Sequence, residues 1–265
     1  MKRLLRWIVT IPLALLLYAL LAALGMVSLV WNLASMLLYP LLPAPTGRAI
    51  GRAAIAWSYR TFWAAASAVG MMRIDASCLD ALRHERGLII VANHPTMLDA
   101  LLLVARLPRS ACIMKADLMR NIFLGAGARL ARYIRNDSAR TMVRLAVEDL
   151  KDGGQLVIFP EGTRTVTPPL NAFRPGVTLI AKLAQAPIQT VFIDTDSPYL
   201  SKGWPLWRVP PLPIVFTLRL GRRFAPQQDS NALLAEIEQY FRHPMEQRAT
   251  DAQPECQQSR APTLS

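Results

Sequence analysis

His94 and Asp99, in the stretch VANHPTMLDA (residues 91–100), are the two residues of this 265-residue chain whose types and spacing best suit chemistry. The chain has only three histidines, and this one ends an apolar run and precedes a carboxylate by five positions. An imidazole that accepts a proton needs one tautomer held and its positive form stabilised, and a nearby carboxylate does both. A turn followed by one helical turn can bring Asp99 back beside His94, so the spacing allows a His/Asp dyad. It also allows a capping box, Thr96-x-x-Asp99, in which the aspartate only starts a helix and is worth about 1 kcal/mol.

A second polar cluster, FPEGTRT (residues 159–165), follows another apolar run. Arg164 offers a planar donor fork suited to phosphate, and Gly162 lets backbone N–H groups approach an oxyanion. Glu161 could orient the arginine or bind a substrate hydroxyl. A tight turn carrying a surface salt bridge is the competing reading of this segment. Lys115 closes a third apolar run. A base, an arginine and a lysine at strand ends together suggest a substrate with a hydroxyl near a phosphate.

The elements that must position these groups read as alternating strands and helices from residue 71 onward. Short β-prone runs lie at 71–75, 88–93, 111–115, 132–134, 155–159, 188–193 and 214–220, with helical stretches at 96–107, 138–151 and 177–184. Apolar strands without alternation, separated by helices, predict an α/β domain with a mainly parallel, buried sheet flanked by helices. Sites in such sheets form in loops leaving the strand C-termini, where His94, Lys115 and Glu161 fall. A last helix is expected over 230–242, stopping before Pro244. Four segments result: a membrane-anchoring helical segment (1–45), an amphipathic interfacial helix (46–70), the α/β domain (71–244) and a disordered tail (245–265).

Residues 8–42 are almost uninterruptedly apolar. As one helix they would run to roughly 50 Å, against a hydrocarbon core of about 30 Å. The expectation is a tilted helix, or two shorter ones breaking near Gly25, with a re-entrant hairpin as an alternative and a cleaved signal peptide as the plainest one. In residues 46–66, Arg48, Arg52 and Arg60 share one helix face and Ile50, Ala54, Trp57 and Ala64 lie opposite. That suits a helix in the bilayer interface, or a domain helix packed on the core. The first 74 residues hold seven basic and no acidic residues, more than half of the formal charge of +12. Positive charge beside apolar segments points to a membrane surface, with no nucleic-acid partner expected. Cys78, Cys112 and Cys256 show no metal-ligand spacing, which suits a reduced, cytosol-facing domain without disulfides or metal.

The pattern Asn93-His94-x-x-x-x-Asp99 with Phe159-Pro160-Glu161-Gly162-Thr163-Arg164 resembles the lysophospholipid acyltransferases, of which 1-acyl-sn-glycerol-3-phosphate acyltransferase is the type member. Lys115-x-x-Leu118 leading to Tyr133-Ile134-Arg135, and Ala186-Pro187-Ile188, are similar to two further blocks. Ile122 and Thr190 stand where the family often has proline. The resemblance implies a glycerolphosphate acyltransferase-like α/β fold with an N-terminal membrane helix or helical hairpin. It also implies His94 as general base, Asp99 as its orienting carboxylate, and Lys115, Glu161, Gly162, Thr163 and Arg164 as substrate-binding residues. Arg174 falls where the family often has a basic residue. The implied reaction moves an acyl chain from acyl-CoA or acyl carrier protein, as co-substrate and without a cofactor, to a lysophospholipid. The site would face the cytoplasm at a membrane, the inner membrane in a bacterium. A lipid-binding scaffold without turnover is the rival reading.

Overall fold

The computed structural model describes residues 2–205 and 208–251. Seven strands form one sheet: β1 (Met72–Asp75), β2 (Leu88–Ala92), β3 (Ser110–Lys115), β4 (Ile134–Asn136), β5 (Gln155–Ile158), β6 (Ile188–Thr195) and β7 (Ile214–Phe224). Their order across the sheet is β1-β7-β6-β2-β5-β3-β4. Neighbours are parallel except β6 and β7, which run antiparallel. The central strand β2 (LIIVA) is buried at every position because both of its faces are covered.

The two covers follow from the pleat. Leu88, Ile90 and Ala92 join an apolar cluster with helices α2 (Ala44–Ala68) and α3 (Asp99–Arg106), whereas Ile89 and Val91 join the opposite cluster. That second cluster holds side chains of α5 (Ala139–Lys151), α6 (Gly176–Ala184) and α7 (Ser230–Asp251). The expected strands all occur, with ends shifted by a few residues; the fourth runs over 134–136 rather than 132–134. Ser138 caps α5 by accepting the Thr141 N–H. Thr190 is buried beside the bulge in β6, where its hydroxyl donates to the Arg222 carbonyl at 2.7 Å.

Helix α7 does not stop before Pro244 but continues to Asp251. Proline forfeits one backbone bond, and the buried anchors Leu233, Ile237 and Phe241 fix the helix ahead of it. Residues 245–251 of the expected tail are therefore helical, and residues 252–265 lie outside the described ones.

The N-terminal apolar run forms one unbroken helix, α1 (Lys2–Leu41), passing straight through Gly25. The turn falls instead at Leu42 and Pro43, where the chain reverses into α2. Within α1, Ile11–Leu41 is long and apolar enough to cross a membrane. It is not free of the domain, however. Leu17 is buried, and Leu13, Leu20, Leu21 and Leu24 pack against the cluster that contains Phe62, Trp63 and Tyr199. Further along, Asn32 Oδ1 accepts the N–H groups of Ala126 and Gly127 in α4 (Gly125–Leu130) at 2.6 and 3.0 Å.

Helix α2 has the expected two faces, but turned the other way. Arg52 is 3% exposed; its guanidinium donates to the Ala131 and Arg109 carbonyls (3.0 and 2.8 Å) and to Asp149 Oδ1 of α5 (2.7 Å). Arg48 pairs with Asp149 and Asp152, and Arg60 donates to the Ala105 carbonyl. The basic stripe thus grips the domain, while Ile50 and Trp57, the latter 62% exposed, face away from it. Removing Arg52 would leave the buried Asp149 carboxylate with only the longer contact to Arg48, at 3.2 Å, so Arg52→Ala should cost about 3–5 kcal/mol in denaturation. Asp149→Asn combined with Arg52→Met should cost clearly less, because no charge is then left unpaired.

Candidate active site

Strand register brings the two polar stretches together. Val91 lies beside Ile158 across β2 and β5, so Asn93-His94 and Phe159-Pro160-Glu161 leave the sheet side by side. Asn93 makes the exit possible. Its carboxamide donates to the Ile193 carbonyl and accepts the Ile193 N–H, both at 2.8 Å, extending the pairing with β6 by one side chain. The backbone of His94 is then free to turn away from the ladder.

The His94 ring is partly exposed, stacks on Phe159 at 4.0 Å between centroids, and holds Nδ1 2.9 Å from Asp99 Oδ2. Asp99, at the first turn of α3, is fully buried. Its Oδ2 also accepts the Thr96 N–H at 2.8 Å, and its Oδ1 accepts the Thr96 hydroxyl at 2.6 Å. The dyad and half of the capping box therefore coexist, and one oxygen, Oδ2, serves both. The other half of the box is missing, because the Thr96 hydroxyl is spent on Asp99 and the Leu98 N–H. Burial pushes the Asp99 carboxyl above its ordinary range, against the lowering pull of His94 and Thr96.

Glu161 departs from the expected substrate-facing role. It is 2% exposed, and its oxygens accept the His94 N–H (3.0 Å), the Thr165 hydroxyl (2.9 Å) and the Asn171 N–H (3.0 Å). A carboxylate sunk between two loops finds its donors there rather than in a ligand. Thr165 also donates its N–H to the His94 carbonyl at 2.8 Å. Both polar groups of the His94 backbone are therefore tied to the second loop.

Gly162 adopts φ +68°, and its N–H donates to the Phe159 carbonyl at 3.0 Å, so this amide closes a turn rather than awaiting an oxyanion. A Cβ here would collide with the guanidinium of Arg174, which lies over the turn. Arg174 donates its own N–H to the Pro160 carbonyl, and the Phe173 N–H is held by Glu238 of α7. Arg164 is half-buried; its Nη1 donates to the Leu200 and Ser201 carbonyls at 2.8 and 3.0 Å. Thr163 is half-buried in the same turn. Lys115 is exposed at the end of β3, two strands from His94 across β5.

An open groove of about 720 Å³ adjoins the His94 loop, lined by Asn93, Pro95 and Thr165 and by the end of β6. Sequence reasoning passed over Asn93, Thr165 and Asn171 as functional positions. Asn93 carried a signal, a lone carboxamide at a strand end, whereas Asn171 carried none, since its partner depends on a loop closing over ten residues. Because Glu161 holds three donors from two loops, Glu161→Gln should lower stability by about 1–3 kcal/mol in thermal or denaturant unfolding. Thr163→Ala, in the adjacent turn, should leave stability nearly unchanged.

Residues 73–194 match the family model for acyltransferases. Over 128 residues the chain is 31% identical to human 1-acyl-sn-glycerol-3-phosphate acyltransferase beta, covering 44% of this chain and 45% of that protein. Over 124 residues it is 25% identical to a Caenorhabditis elegans protein, acl-1, whose name gives it provisionally the same activity; 44% of this chain and 47% of that protein are covered. The chain thus spans about half the length of these curated relatives. In fold it is similar to the crystal structure of the 1-acyl-sn-glycerophosphate (LPA) acyltransferase PlsC from Thermotoga maritima. The TM-score is 0.58 at 20% identity, covering 76% of this chain and 82% of the other. The His94 and Glu161 loops both lie within the region that matches the acyltransferase family model.

Proposed function

We propose that this protein transfers an acyl chain from a thioester to the free hydroxyl of a 1-acylglycerol-3-phosphate, giving phosphatidic acid. One observation carries the mechanism: His94 Nδ1 sits 2.9 Å from a fully buried Asp99. An ionised Asp99 can only accept, so in that state the ring proton sits on Nδ1 and Nε2 keeps its lone pair. Nε2 takes the proton from the acceptor hydroxyl as that oxygen attacks the thioester carbonyl. The tetrahedral intermediate collapses, the C–S bond breaks, and the departing sulfur leaves with the proton from His94. Asp99 stabilises the imidazolium in between.

Arg164 and Lys115 hold the acceptor phosphate, and Arg174, over the Gly162 turn, adds positive charge at the same edge. Fixing the phosphate turns binding energy into orientation of the hydroxyl. Glu161 acts through the backbone of His94 rather than on the substrate. A covalent acyl-cysteine finds no support in Cys112, whose thiol burial pushes up to about 12. The donor is acyl-CoA or acyl carrier protein, and the Ile11–Leu41 helix holds the enzyme in a membrane with the site on the cytoplasmic side.

Supplying both donors against a panel of monoacyl lipids tests the reaction class; thioester consumption without a new phospholipid would mark a hydrolase instead. His94→Ala should lower turnover by roughly 10²- to 10⁴-fold while the protein stays folded. Near-normal turnover would refute the base assignment. Arg164→Ala should chiefly raise KM for the phosphate-bearing acceptor.

The raised Asp99 carboxyl has its own pH signature. Protonation favours the folded state, so this contribution is fully present below the unfolded value of about 3.9 and is lost as pH climbs through the folded value. The stability of the natural protein relative to Asp99→Asn should therefore fall from acid toward neutral pH. Denaturant unfolding at stepped pH checks this.

A further inference from the structure

The loop from β3 to α4 (residues 116–124) places three large apolar side chains in the open, with Leu118, Ile122 and Phe123 at 38, 64 and 40% exposure. Nothing in the proposed chemistry uses them. The loop is not slack either. Asn121 accepts the Phe123 N–H through its side chain and the Gly125 N–H through its carbonyl, both at 2.8 Å, and Arg129 donates to the Met119 carbonyl at 3.3 Å. At Gly125 a Cβ would run into that same carbonyl, so loop and helix interlock.

Helix α4 is in turn docked on α1. Asn32 accepts its first amides, and the Trp31 ring lies against Gly127, where a Cβ would stand 3.0 Å from it. Loop, α4 and α1 therefore move as one block. On that block the α1 side chains Val30, Leu33, Met36 and Leu37 are exposed as well. Residues 115–135 carry five basic residues against one acid, Asp117. Lys115, Arg120 and Arg129 are exposed. Apolar tips ringed by cations, continuous with a long apolar helix, match a bilayer whose headgroups are anionic: the tips enter the acyl boundary and the cations meet phosphate.

We propose that the 116–124 loop is a second membrane contact, inserted into an anionic bilayer surface, and that it holds the Lys115 end of the sheet at headgroup level. This rests on the reading of α1 as a membrane segment, so the test probes both. The full chain, with Cys78→Ser and Cys256→Ser, is labelled with the fluorophore NBD at Phe123→Cys, or at Ile122→Cys should the first variant fold poorly. Leu33→Cys reports α1, and Lys151→Cys, exposed at the C-terminal end of α5, is the solvent control. Each is reconstituted into phosphatidylcholine vesicles with and without phosphatidylglycerol.

The loop probe should shift to the blue, brighten severalfold and be quenched by spin-labelled lipid when phosphatidylglycerol is present. Arg120→Glu should weaken that response. A loop probe that matches position 151 overturns the proposal, and if the probe at 33 is in lipid at the same time, the membrane reading of α1 survives. A solvent-like probe at 33 as well would remove both. A blue shift that follows protein density and is not quenched by lipid would mark a protein partner and also overturn it.

Discussion

The carboxylate of Glu161 is the joint on which the site depends. It is buried where the loops leaving β2 and β5 meet, and it accepts donors from His94, Thr165 and Asn171 at once. The bond to the His94 N–H fixes the backbone of the histidine, while Asp99 fixes its ring. Two carboxylates, 62 positions apart in the chain, thus hold one histidine from two sides. Such a fully engaged polar cluster is rigid because every alternative leaves a buried charge without partners. The same commitment gives Arg164 its place: the neighbouring Thr165 N–H is tied to the His94 carbonyl, and the Leu200 and Ser201 carbonyls hold one end of the arginine's fork.

A second set of buried charges attaches helix α2 to the domain. The Arg52–Asp149 pair joins α2 to α5, and two further donors take the Ala131 and Arg109 carbonyls, so each guanidinium nitrogen is bound by a group from a different segment. With the basic face engaged inward, the apolar face carrying Ile50 and Trp57 is left exposed among the described residues. An outward apolar face on α2 and another on α1 are what a helix pair resting in lipid would present. The geometry reaches that arrangement with the arginines on the opposite side from the one an interfacial helix would favour.

Much of the fold was legible along the chain. Continuous apolar runs such as LIIVA and QLVI mark strands covered on both faces, and Ser138, Gly153 and Gly154 mark the ends of α5. The residues His94, Asp99 and Arg164 stood out because polar groups follow apolar runs abruptly, and the sheet does place them at one edge. The fourth strand was displaced because Ile134–Asn136 is a three-residue edge strand with little apolar signature. Of the two arrangements expected for the apolar run, the single helix forms and the break near Gly25 does not: packing of the helix along the domain outweighs the roughly 1 kcal/mol that glycine costs in a helix interior.

By itself the sequence determined which residues could be acid, base or cation, the order of strands and helices, and the division of α2 into a basic and an apolar face. Those properties are local, set by side-chain chemistry and by periods of two and 3.6 residues. Only the tertiary structure decided which face of α2 turns inward, that Glu161 serves the His94 backbone, and that one oxygen of Asp99 both meets the imidazole and starts its helix. Each of those outcomes depends on partners brought close by strand register and helix docking. An apolar helix face is compatible with lipid and protein interior alike, and a carboxylate accepts from whichever donors the fold places around it.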